Sequence, residues 1–257
     1  AHARNCQRIR LYTDFESHLK DNERARMRDF VKRRARREPL AYITGQKEFY
    51  GRDFTVGSGV LVPRPETETL VDVCLEKISI HRATLVCEVG FGSGCIAVTL
   101  AKQRPSLRVS ATDVSSHALK YAAGNVTNHG VQHKVTLCEG DCYNPLPAEQ
   151  AGRFDGIVSN PPYIRAAELA LLSPEVTIHE PQIALVSGED GLLLVRRLIT
   201  EALGWLTEEG WMALEVDPAQ CEMVAGLFTE TGFATTAIHK DLSGNDRIVS
   251  AERSSGK

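Results

Sequence analysis

Asn160-Pro161-Pro162-Tyr163 directly follows the apolar run Phe154-Asp155-Gly156-Ile157-Val158-Ser159. An asparagine side chain offers a carboxamide oxygen, and two consecutive prolines remove two backbone donors and stiffen the turn. Nearby carbonyl oxygens then become fixed acceptors with no local ladder to join. If Asn160 Oδ1 and the Pro161 carbonyl point at one place, they hold both hydrogens of a planar NH2 group while Pro162 and Tyr163 cover its face. Such a holder suits in-line attack of that nitrogen on a methyl group carried by a sulfonium. Positioning supplies much of the acceleration. Acceptors on both hydrogens raise the electron density of a delocalised amide nitrogen and stabilise the charge that develops on it. No strong base is required, because the methylated cationic nitrogen loses its proton to solvent or a weak acceptor. A stiff Pro-Pro turn with a capping asparagine is the plainer alternative.

A second set of residues provides for the methyl donor. Glu88-Val89-Gly90-Phe91-Gly92-Ser93-Gly94 closes a strand and opens a helix, where a glycine-rich turn lets a ligand approach the backbone. The spacing G-x-G-x-G differs from the dinucleotide pattern G-x-G-x-x-G and suits a ligand without a pyrophosphate. Asp113, with Val114 beside it, ends the next strand at the separation where an acid meets ribose hydroxyls. Asp141, after the third strand, is placed to accept from an adenine amino group, with Cys142 against the ring. The expected methyl donor is S-adenosyl-L-methionine, leaving as S-adenosyl-L-homocysteine. Each acid alone could instead cap a helix or solvate a loop.

These groups need a scaffold that brings successive strand ends to one edge. From residue 83 onward apolar runs alternate with amphipathic stretches. The pattern predicts strands at 84–89, 107–112, 135–138 and 154–159 with helices at 95–103 and 116–128. A helix at 191–206, a strand at 211–216, a helix at 219–231 and strand-like segments at 235–239 and 247–251 follow. This rhythm predicts an α/β fold, a doubly wound Rossmann-like parallel sheet with an antiparallel C-terminal hairpin, its ligand site outside the carboxyl ends of the strands. Upstream, residues 23–37 are polar and helix-forming, with Met27, Phe30 and Val31 as a short apolar stripe. Aromatic residues and glycines around 49–59 suggest a hairpin. The expected division is a helical substrate-docking domain at 1–45, read as incomplete because the chain opens on Ala1 in helix-like text, a β-hairpin linker at 46–60 and a catalytic domain at 61–257.

Composition narrows the function classes. The net charge is −3 over 257 residues, with the basic residues dense before residue 38 and the remainder acidic. This argues against a protein that coats nucleic acid or reads its sequence, and the basic stretch reads first as a solvated helix face, with an RNA- or ribosome-facing patch as the alternative. No window has the apolar run of a membrane span. Seven scattered cysteines favour a reducing compartment, hence the cytoplasm. Cys138 and Cys142 lack a second pair or a histidine partner, so no metal site is expected.

Together these residues resemble the HemK family, protein-glutamine methyltransferases that modify peptide chain release factors. The likeness runs through Glu38-Pro39-Leu40-Ala41-Tyr42-Ile43-Thr44-Gly45, Leu61-Val62-Pro63-Arg64-Pro65-Glu66-Thr67-Glu68, the glycine loop and the Asn-Pro-Pro-Tyr tetrad. It continues through Glu180-Pro181, Gly188-x-Asp190-Gly191 and Gly244-Asn245-Asp246-Arg247. Adenine-specific DNA methyltransferases share the tetrad but not the Pro-Arg-Pro-Glu-Thr-Glu block. The resemblance implies methylation of the side-chain amide of the glutamine in a release factor's Gly-Gly-Gln motif. It also implies a helical N-terminal domain that helps dock that partner. Arg64 and Glu66 are implied near the cofactor and active-site mouth, or else form a structural ion pair bracing the linker. Glu180-Pro181 and Gly188–Gly191 either shape the substrate side or make a packed loop. Glu88, Phe91 and Cys142 depart from the residues common in the family. A glutamine methyltransferase of a ribosomal protein and an adenine N-methyltransferase are the enzyme alternatives, and a catalytically silent adenosyl-binding module is the alternative of another class.

Overall fold

A computed structural model describes residues 1–253. Three helices come first, α1 (Arg10–Thr13), α2 (Asp21–Ala35) and α3 (Leu40–Thr44), followed by the hairpin β1 (Gln46–Phe49) and β2 (Arg52–Thr55). Then come α4 (Glu66–Lys77), β3 (Thr84–Val89), α5 (Cys95–Gln103), β4 (Leu107–Asp113), α6 (Ser116–Asn128), β5 (Val135–Glu139) and β6 (Phe154–Ser159). The chain continues with α7 (Pro174–His179), α8 (Leu193–Ala202), β7 (Leu206–Glu215), α9 (Cys221–Thr231), β8 (Phe233–Lys240) and β9 (Asp246–Arg253). Seven strands form one sheet in the order β5-β4-β3-β6-β7-β9-β8. The first five are parallel, and β9 pairs antiparallel with both β7 and β8. This is the Rossmann-like sheet with an antiparallel end that the alternating pattern predicts.

The apolar runs dictate that layering. β3 is buried along almost its whole length, as a strand covered by helices on both faces must be. One core layer packs Leu70, Val71, Ile96, Leu100 and Ala122 from α4, α5 and α6 against the sheet, and also takes in Phe49 and Phe54 of the hairpin. The opposite layer holds Val195, Leu198 and Ile199 of α8 with Val224 and Phe228 of α9. Chain order reverses between β3 and β6, the switch point where open α/β sheets bind ligands. There Val89 faces Thr112 of β4 on one side and Ser159 of β6 on the other, so Gly90, Asp113 and Asn160 leave the sheet at one edge.

Several boundaries move. The expected helix 191–206 shortens to Leu193–Ala202; Asp190 Oδ1 accepts from Leu192 N at 3.0 Å and holds that segment as a turn, while Leu206 already pairs with Phe154. The strand expected from 211 begins at Leu206, because a register shift between Phe154 and Gly156 lets β7 run on past Gly210. The apolar stripe of α2 is not a core face. No residue of that helix is buried, and Val31 is 68% exposed. Arg33 instead ties α2 to α3, pairing with Glu38 and donating to the Tyr42 carbonyl at 3.2 Å. Among the described residues, no helix is long and apolar enough to cross a membrane.

Candidate active site

The glycine turn is where the backbone makes room. Gly90, Gly92 and Gly94 all have left-handed φ values of 78°, 51° and 79°, which side chains with a Cβ adopt at a cost. The turn folds back onto β4, with Gly90 N and Phe91 N donating to the Thr112 carbonyl at 2.7 and 3.2 Å. Asp113 locks it: Oδ2 accepts from Gly92 N at 2.9 Å and Oδ1 from Ser115 N at 2.9 Å. Burial raises the Asp113 pKa against those backbone donors.

A cavity of about 570 Å³ opens over this edge, within the range of roughly 300–1,000 Å³ usual for small-molecule sites. Of the residues expected from sequence, it is lined by Arg64, Glu88, Gly90, Phe91, Gly92, Asp113, Val114, Asp141, Cys142, Asn160 and Pro162. Gly94, Pro161 and Tyr163 lie outside its lining, Gly94 beneath it as the N-cap of α5.

Glu88 is the sharpest feature of the cavity. Its side chain is fully buried, neither carboxylate oxygen has a hydrogen-bond partner, and desolvation holds its pKa well above the ordinary carboxylate range. A buried acid without a partner is costly unless a cation meets it. The ammonium of an amino-acid moiety satisfies that need, so the residues fit the methyl donor expected from sequence. Asp141 is also on the lining; its Oδ2 accepts from Arg197 Nη1 at 2.6 Å, and that contact holds the Asp141 carboxyl below its usual range. Arg197, absent from the sequence reading, also lines the cavity. Cys142 is buried with φ 49°, a left-handed conformation unusual for a cysteine.

The tetrad is braced from behind. Ser159 Oγ donates to the Val89 carbonyl at 2.6 Å, joining β6 to β3 just before the turn. Asn160 Nδ2 donates to Thr67 Oγ1 at 3.1 Å. Among the described residues, no donor meets Asn160 Oδ1 or the Pro161 carbonyl. Gln220 Nε2 donates to the Tyr163 carbonyl at 3.0 Å and to the Asp190 carbonyl at 3.2 Å. Gly191 packs so closely that a Cβ there would lie 2.2 Å from the Tyr163 oxygen. Gly191 is thus a tightly packed support for the tetrad, while Gly188 lines the cavity.

The ion pair offered as the alternative for Arg64 and Glu66 is not formed. Arg64 Nη2 bonds Glu180 Oε1 at 2.6 Å, and Glu180 Oε2 accepts from Val62 N at 3.1 Å. Glu180 is 4% exposed, with its carboxylate turned inward to hold the 62–64 segment over the cavity. Thr67 and Glu180 stand in the quoted motifs without this supporting role, and motif reading missed Gln220 and Glu215. A charged residue ending an otherwise apolar strand, as Glu215 does, was the signal available for the last of them.

Residues 66–202 match the family described as Methyltransferase small domain, and residues 1–45 match the PrmC N-terminal domain. A release factor glutamine methyltransferase of Geobacter sulfurreducens is 43% identical over 96% of this chain and 84% of its own length. Its namesake from Rhodopirellula baltica is 39% identical over 98% and 86%. The chain belongs to the release factor glutamine methyltransferase family. A solved methyltransferase from Pyrococcus furiosus, with TM-score 0.59 and 18% identity over 93% of this chain and 100% of that one, shares the fold. The chain is thus a methyltransferase, and the matched stretch 66–202 contains the glycine turn, Asp113, Asp141 and the tetrad.

Proposed function

We propose that this enzyme transfers the methyl group of S-adenosyl-L-methionine to the side-chain amide nitrogen of the glutamine in the Gly-Gly-Gln motif of peptide chain release factors. The observation that carries this reading is the pair of unpartnered acceptors, Asn160 Oδ1 and the Pro161 carbonyl, on a turn braced at the switch point beside an orphaned buried acid. The relatives from Geobacter sulfurreducens and Rhodopirellula baltica are named release factor glutamine methyltransferases, which supports a release factor glutamine as the acceptor.

Glu88 would hold the ammonium of the cofactor, Asp113 its ribose hydroxyls and Asp141 its adenine amino group, with Phe91 and Cys142 supplying apolar walls and Val114 and Arg64 flanking them. When bound, the cofactor supplies an electrophilic methyl group on a sulfonium. Asn160 Oδ1 and the Pro161 carbonyl accept the two hydrogens of the glutamine amide, which orients its nitrogen and draws electron density onto it. Pro162 and Tyr163 close over the amide plane. Burial pushes the Tyr163 pKa up to about 12, so its phenol stays neutral and is no base at working pH. Ile183 and Leu193, both well exposed at the cavity rim, offer apolar cover for the peptide that carries the glutamine. The helices of residues 1–45 would dock the rest of the partner.

Kinetics of two variants test the assignment. Asn160→Ala is expected to cut turnover about a hundredfold or more with cofactor affinity nearly unchanged. Asp113→Ala is expected to weaken cofactor binding about tenfold or more before it affects turnover of the loaded enzyme. A large loss of cofactor affinity in Asn160→Ala would show that its role is misplaced.

A further inference from the structure

We infer that Glu215 and Thr67 are positioning residues that set which end of the Asn160 carboxamide faces the acceptor amide. The inference rests on the proposed role of Asn160 and extends it inward. An asparagine side chain is nearly symmetric in shape but not in chemistry. Turned one way it presents an oxygen, which accepts the hydrogens of a glutamine amide; turned the other way it presents an NH2 group, which repels them. Something must choose between the two.

The choice is made behind the tetrad. Asn160 Nδ2 donates to Thr67 Oγ1, so the hydroxyl acts there as acceptor and its own proton must go elsewhere. Thr67 is buried on α4. The Glu215 carboxyl, the last residue of β7 and 1% exposed, lies against both the Thr67 hydroxyl and the Asn160 amide, which oppose the cost of its burial. In this structure neither contact is a closed hydrogen bond, and Glu215 Oε2 is a buried oxygen without a partner. An acceptor with nothing to accept, beside a hydroxyl whose proton needs a place, completes a directional chain: Asn160 amide to Thr67 oxygen, Thr67 proton to Glu215. With that polarity, Oδ1 is left for the cavity.

The chain holds its direction only while Glu215 is a carboxylate. Once protonated, Glu215 can donate to Thr67, whose own proton then turns toward Asn160 and favours the flipped carboxamide. The groups that face Glu215 are Arg247 on β9, Glu66 on α4, Cys95 on α5 and Tyr163 after the tetrad. Desolvation outweighs the help of Thr67 and Arg247 and raises the Glu215 pKa to about 7. Turnover should therefore rise with pH through the neutral range.

The test compares Glu215→Gln, Thr67→Val, Thr67→Ser and Asn160→Ala with the parent enzyme, using an intact release factor as methyl acceptor, and reads turnover across the neutral range together with cofactor affinity. The parent should show an inflection near 7. Glu215→Gln should lose that inflection and about tenfold or more of turnover, Thr67→Val should lose a similar factor, and Thr67→Ser should recover most of it. Cofactor affinity should hold throughout, which a merely structural disturbance would not allow. If Glu215→Gln does not fold, the Thr67 pair decides. Parent-like turnover in Thr67→Val, or an inflection that survives in Glu215→Gln, would overturn the inference. Loss in Asn160→Ala alone would sink this inference and spare the proposed function; parent-like turnover in Asn160→Ala would sink both.

Discussion

Glu88 is the residue at which sequence, burial and ligand chemistry meet most tightly. In the protein alone desolvation raises the pKa of its carboxyl well above the ordinary value, against the backbone of Ala97, and no cation offsets this. Pairing with an ammonium requires the carboxylate. Binding of S-adenosyl-L-methionine should therefore release a proton from Glu88, and affinity should rise with pH until that proton is already lost in the free enzyme. Calorimetric titrations in buffers of different ionisation enthalpy measure this directly. Glu88→Gln should abolish the release and weaken binding by about 3 kcal/mol, on the order of a hundredfold. Unchanged proton release in Glu88→Gln would mean that another group titrates. Motif reading named Glu88, which lines the cavity, but its lack of a partner is a tertiary fact.

At the scale of elements, the strands were legible because a parallel sheet covered on both faces leaves continuous apolar runs. The predicted spans 84–89 and 154–159 coincide with β3 and β6. Where local pattern and tertiary pairing disagree, pairing wins. Gly210 looks like the break before a strand at 211, yet the ladder between β6 and β7 carries the strand back to Leu206. The Met27, Phe30, Val31 stripe has helical spacing, yet no element packs deeply on it. Gly191 is the clearest case of support that sequence named without explaining. Gly191 has φ 79° and sits against the Tyr163 carbonyl. Gly191→Ala should cost about 1 kcal/mol from conformation alone and push the tetrad outward. Turnover should drop well below the parent level while cofactor affinity stays the same, a split that steady-state kinetics and equilibrium binding resolve.

Across the whole molecule, long-range polar ties connect the N-terminal helices to the cavity, and their partners lie too far apart in sequence for any local pattern to reveal. Arg34 of α2 pairs with Glu175 of α7 at 2.7 Å, and His179 at the end of α7 bonds the Arg36 carbonyl at 3.0 Å. The next residue is Glu180, which reaches across to Val62 and Arg64. The hairpin is tied in similarly: the Asn125 side chain bonds both Thr55 N and the Thr55 carbonyl. Glu180→Ala would strand the Val62 N–H and leave Arg64 without its partner. Because Arg64 is partly exposed, the expected loss is about 2 kcal/mol rather than the larger cost of splitting a fully buried pair. It should appear as a lower unfolding midpoint in denaturant together with weaker cofactor binding. A change in binding with no change in midpoint would assign Glu180 to ligand contact instead.

The methyl acceptor is identified by mass mapping after incubation of the enzyme with isotopically labelled S-adenosyl-L-methionine and, in separate reactions, an intact release factor, ribosomal proteins or duplex DNA. The site predicts one labelled methyl group on the side-chain amide of the Gly-Gly-Gln glutamine, and none once that glutamine is replaced. Label on adenine, on a ribosomal protein in preference to the release factor, or on no glutamine at all would contradict it.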